Sequence, residues 1–186
     1  MNHLQNPLSG FSTLESQVKI IFGISSIAEE FFKNPNHVFV EKIKAQKNLE
    51  LKIWKQAQDN LDANEDRTPL LLSSLAHRLA EEISLAVIET EEFNLLPTPE
   101  IILMIQKTKE AVKALSDKFS TDSIVAANNR SLETLQIFKK ARQDAFKDEK
   151  SVRGLKNSEI ALRFSEAANL IEKLVYTLGE IIIKEP

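Results

Sequence analysis

The chain has 186 residues, 42% hydrophobic and 27% charged, with a formal charge of −3. That length suits one globular domain or two small repeats sharing a core, and no basic stripe marks a nucleic-acid reader. The lack of cysteine excludes disulfides and thiolate metal sites and fits a reducing compartment.

Four glycines and six prolines leave few turns, so the elements should be few and long, which favours helices over a β-sandwich. The opening MNHLQNPLSGF lacks the basic and apolar regions of a signal peptide. No stretch approaches the roughly 20 apolar residues of a spanning helix.

Residues 1–9 read as a leader. Ser12 or Thr13 then caps a first helix to Lys33, with Phe11, Leu14, Val18, Ile21, Phe22, Ile27 and Phe31 apolar. Asn34-Pro35-Asn36 breaks it, because the residue before proline is pushed out of the helical region. A second helix spans 38–62, with an inward row of Val40, Ile43, Gln46, Glu50, Ile53, Ala57 and Leu61. Thr68-Pro69 offers a cap and a first-turn proline for a third helix to Phe93, striped by Leu72, Leu75, Ala76, Leu79, Ile83 and Val87. The connector 94–99 ends in a second Thr-Pro start.

The fourth helix covers 100–119 with Ile101, Ile105, Val112, Leu115 and Phe119 apolar. The fifth covers 122–147, with Ile124, Ala127, Leu135, Phe138 and Ala145. After a polar turn over 148–156, Asn157 or Ser158 caps a sixth helix to Lys184. Its stripe is Ile160, Phe164, Ala167, Ile171, Leu174, Val175, Leu178 and Ile182, at spacings of three and four. A face this apolar needs other helices to cover it. Both halves follow one plan of three helices, with a polar loop before the third. The expected fold is all-α, six long helices in two three-helix repeats, about 10–95 and about 97–186, within a single domain.

The segment AFKDEKSVRGLKNSEIALRFSEAANLIEKLVYTLGEIIIK (145–184) resembles the closing part of the PhoU-like phosphate transport regulators. It is most similar to the branch encoded beside the low-affinity phosphate transporter Pit. Ala145 to Glu149 and Ile181 to Lys184 occupy that branch's acidic run and terminal aliphatic-lysine places. NEDRTPLLLSSLAHRLAEEI (64–83) resembles its acidic, arginine-bearing loop and following helix. The resemblance implies paired three-helix bundles and a non-enzymatic accessory role at a Pit-type transporter. It places the protein in the cytoplasm, at the inner face of the membrane when it docks. A homo-oligomer is compatible with it.

The same resemblance implies Glu/Asp-x-x-x-Asp pairs, which put hard oxygen ligands on one helix face. Here those places hold Gln46 and Glu50, Ala76 and Ala80, Ser131 and Leu135, and Ser165 and Asn169. One carboxylate in eight positions predicts that the family's metal site is lost and that no cofactor is held. The rival readings are a metal-cluster protein using Glu50 and Asp144, and a helical scaffold unrelated to phosphate.

Glu50 is expected at the seam edge, with its head in water or paired with a lysine; a buried carboxyl or a residual ligand is the sharper alternative. His77 is expected as a lone surface histidine, His37 as a helix-start residue, and Trp54 as core or bundle-edge packing. The pairs Asp62/Asp66 and Asp144/Asp148 read as solvated helix-end charge, His3 as scattered, and Arg153 as a loop cation open to an anionic partner. No nucleophile elbow, P-loop or H-E-x-x-H motif occurs, so an enzyme is not expected.

Overall fold

The computed structural model describes residues 8–59, 67–145 and 152–184. Within them the chain is all-α, with six helices: α1 (Leu8–Lys33), α2 (His37–Asp59), α3 (Thr68–Glu92), α4 (Pro99–Asp117), α5 (Thr121–Ala145) and α6 (Val152–Lys184). None of these helices is long and apolar enough to cross a membrane.

The helix ends follow local chemistry. Asn36 Oδ1 accepts the Val38 N–H and caps α2. The end of α3 is a Schellman motif. Asn94 adopts a left-handed φ of 49°, the Leu95 N–H bonds Thr90 O, and the Asn94 N–H bonds Glu91 O. Asn tolerates that backbone better than most residues, and Leu95 tucks into the core. Thr98 caps α4 by accepting the Ile101 N–H, with Pro99 in the first turn. Ser120 and Ser123 cap α5 reciprocally, each hydroxyl accepting the other's N–H.

Three expected starts are corrected. α1 begins at Leu8, so Ser12 and Thr13 lie inside the helix and do not cap it. At α3 the cap is Arg67, with helical backbone and no side-chain capping bond, and Thr68 is already helical. The Leu71 N–H reaches Arg67 O and pulls the helix one residue earlier. α6 begins at Val152, before Asn157, so the expected turn at Arg153-Gly154 is helical. There Lys156 sits 3.8 Å from the centre of the Phe93 ring and pairs with Glu159, which ties the first turns of α6 to the end of α3.

The substantial packing runs α1 with α2 and α3, α2 with α3, α4 with α5 and α6, and α5 with α6. The two halves meet along α1–α4 and α3–α6. Exchanging α1, α2 and α3 for α4, α5 and α6 leaves this set of pairings unchanged. One apolar cluster runs through both halves. On α6, Ile160, Phe164, Ala167, Ile171, Leu174, Val175 and Leu178 are all buried, and Ile182 is half-buried. Phe164 meets Phe32 edge-on at 5.5 Å, and Phe32 meets Phe31 at 5.3 Å, so aromatic contact carries the core from α1 to α6.

Ion pairs flank this core where the halves join. Arg163 on α6 donates to both Glu82 and Glu89 of α3. Those bonds, that to Glu89 first, raise its already high pKa further and keep it charged. Glu29 on α1 pairs with Lys109 on α4 at 2.7 Å and with Lys33 at 2.7 Å. Burial raises the Glu29 carboxyl, but the hydrogen bonds from Lys109 and Lys33 outweigh it and hold the group below its ordinary 4.5.

Two outcomes are expected. Phe164→Ala removes a fully buried ring shared by both halves and lowers unfolding stability by about 3–5 kcal/mol, read by urea titration. Glu29→Gln lowers the urea midpoint at pH 7. A carboxyl depressed in the folded state stabilises above its unfolded pKa, and that contribution is lost as pH falls through the lower folded value. The gap between variant and wild type therefore narrows as pH drops below 4.5.

Candidate functional site

Most of the inward positions of α1, α2 and α3 are aliphatic, and a few are polar. Gln17 on α1 lies in the stripe of Leu14, Val18 and Ile21. Glu50 on α2 lies two turns from Ile43 and almost three from Val40. Ser73 and His77 on α3 sit among Leu72, Ala76 and Ala80. Helical spacing turns all four inward, and all four are buried, with Gln17 and Glu50 at 0% exposure.

They converge on the Glu50 carboxylate. Gln17 Nε2 donates to Glu50 Oε1 at 2.7 Å and to the Ser73 carbonyl at 3.2 Å. Glu50 Oε2 lies 2.6 Å from His77 Nδ1. One proton is shared across that contact, carried either by Nδ1 or by the carboxyl. The Trp54 ring stacks on the His77 ring at 4.2 Å, with 7° between planes, and forms its lid. Beyond the lid, His77 Nε2 is 3.9 Å from Glu81 Oε2, and Glu81 pairs with Lys47. Each of the three helices of the first half thus contributes a side chain to one carboxylate.

A Glu–His pair is common acid–base machinery, but a general base must reach the proton it moves. Glu50 has no exposed surface, and its two oxygens are engaged by Gln17 and His77. Around it Gln17 Oε1, Ser73 Oγ and Trp54 Nε1 are buried without a protein partner. Among the described residues, no group of three or more His, Cys, Asp or Glu side chains is arranged to hold a metal ion.

This geometry corrects several expectations. Glu50 is not at the seam edge and is not paired with a lysine: α1 closes over it, and Gln17 and His77 take the place of solvent. His77 is not a surface residue, being 8% exposed beneath Trp54. Trp54 is half-buried at the edge of the bundle, as its position suggested. His37 opens α2 and bonds Glu91 at 2.7 Å. Arg153 lies within α6 and is exposed.

The other positions that the resemblance singles out are spread over the bundle. Gln46 is half-buried, its Oε1 nearest the place a Cβ would take on Gly23 of α1. Ala76 and Ala80 are fully buried wall residues. In the second half Ser131 is buried and donates to the Asn128 carbonyl of its own helix, and Ser165 is buried. Leu135 and Asn169 are half-buried. His3, Asp62, Asp66 and Asp148, and the Asp144 side chain, lie outside the described residues.

Gln17 and Ser73 were missed by sequence reasoning. A polar residue one turn from Leu14 and Ile21, inside an apolar stripe, is the signal that would have found Gln17.

No protein-family model matches the chain, and a search of curated proteins returns no match.

His77→Ala strips Glu50 of one buried partner and opens a void under Trp54. A buried pair broken on one side costs about 3–5 kcal/mol, and the urea midpoint should fall accordingly. Trp54 emission in the folded variant should shift, because its stacking ring is gone. Glu50→Gln, which keeps the shape and leaves polar atoms for both buried partners, should cost clearly less than His77→Ala.

Proposed function

We propose that the chain is a non-enzymatic regulator or accessory protein of inorganic phosphate transport. It works by protein–protein contact with a Pit-type transporter at the cytoplasmic face of the membrane, in the manner of the PhoU-like proteins its terminal segment resembles. The observation that carries this reading is the packing set that survives exchange of the two halves. Two like three-helix units are the plan the resemblance implies. The apparatus for bond-making chemistry is poor, since the best-placed carboxylate is sealed in the first half by Gln17, His77 and Trp54.

Glu50 also supports the loss of the metal role. In a ligand the oxygens face an ion, whereas here they face an amide and an imidazole from the same chain. The contact with the transporter then rests on surface recognition, because fold alone does not fix function.

The test is a tagged full-length chain expressed with a Pit-type transporter. The transporter should co-purify with it from solubilised membranes, and removal of the chain should change the initial rate of phosphate uptake. A bound fraction without the transporter, together with unchanged uptake, contradicts the proposal.

A further inference from the structure

α5 packs substantially on α4 and α6 and leaves its outer face open. Along that face Asp122, Val125, Asn129, Leu132, Gln136 and Lys139 are all exposed. These six lie on one face of the helix, with two aliphatic residues among them and opposite charges at its ends. Val125 is 53% exposed and Leu132 40%. In a chain with 27% charged residues, this stripe carries no charge between Asp122 and Lys139.

We infer that the outer face of α5 is a homodimer interface, in which α5 pairs antiparallel with α5 of a second copy. The stripe is self-complementary about a twofold axis between Arg130 and Ser131. In that register Asp122 faces Lys139 of the second copy, Val125 faces its Gln136, and Asn129 faces its Leu132. The same matches recur on the other side of the axis, as an isologous contact requires. Acid meets base at both ends, with Lys140 adding a second cation beside Lys139, and no like charges meet in the middle. A parallel pairing would set Asp122 against Asp122 and Lys139 against Lys139.

The seam spans about 25 Å at the helical rise of 1.5 Å per residue. It also borders an apolar groove of about 660 Å³ at Val125, walled by Leu71, Leu75, Val175 and Tyr176. Leu71 is 52% exposed and Tyr176 69%. That groove widens the apolar surface a second copy covers, because two isolated seam residues would be a small contact. The dimer is independent of the transporter contact and can fail or hold without it.

The full chain, at about 100 µM, serves for light scattering after gel filtration. The wild type should show twice the chain mass of 21.0 kDa. Leu132→Lys should run at the single-chain mass with its helical circular dichroism unchanged, since that side chain is not in the core. Asp122→Lys alone, which sets lysine against lysine, should also be monomeric. Adding Lys139→Glu should restore the dimer. The chain has no native cysteine, so an equimolar mixture of Asn129→Cys and Leu132→Cys chains should oxidise to the mixed disulfide. A monomeric wild type overturns the inference, as does a dimer that ignores Leu132→Lys or a charge exchange that fails to restore association.

Discussion

The structure depends on covering the apolar stripe of α6. Seven of its residues, from Ile160 to Leu178, are buried, and they meet helices from both halves. Neither three-helix unit closes its own core, since each presents an apolar flank to the other along α1–α4 and α3–α6. Burial of a large aliphatic or aromatic side chain contributes about 1.5–3 kcal/mol. The shared layer, with Phe32 against Phe164 at its centre, therefore outweighs the partly exposed ion pairs around it. Arg163 and Lys109 orient the halves more than they hold them together.

Against that apolar background the Glu50 node is a local expense. A carboxylate without exposed surface forgoes water, and its bonds to Gln17 and His77 offset that loss only where the geometry is right. The same demand for geometry fixes the first half: α1 must present Gln17 and α3 must present His77 at one depth. The second half meets its buried polar positions differently. Ser131 and Thr134 return their hydroxyls to their own helix and ask nothing of a neighbour. The two halves share a packing plan, but the first is pinned by a buried polar contact across its helices, whereas the α4–α5 ion pairs of the second, Lys107 with Glu133 and Arg130 with Glu110, are partly exposed.

Most of the architecture was legible because apolar periodicity is a local property. The α3 and α6 stripes, the break at Asn34-Pro35 and the connector before Pro99 stand in the sequence as they stand in the fold. The start of α6 was hidden; its first turns set Lys156 against Phe93, a residue far away in the chain that no local pattern announces. Glu50, His77 and Gln17 were hidden for a related reason. Each is an ordinary residue on its own helix, and only the crossing of three helices makes them a cluster. A lone polar residue in a seam can be edge or core, and neighbouring letters do not say which helix will close over it.

One apolar core runs through all six helices, with the Glu50 carboxyl sealed in the first half, and this predicts that they unfold as a single cooperative unit. The only tryptophan, Trp54, lies in that half against His77, so its fluorescence reports the first three helices, whereas far-ultraviolet circular dichroism reports all six. Both signals followed through one urea titration test the statement directly. The account predicts superimposable curves with one midpoint. Separate midpoints, with tryptophan emission and helicity lost at different urea concentrations, would mean that the halves fold apart.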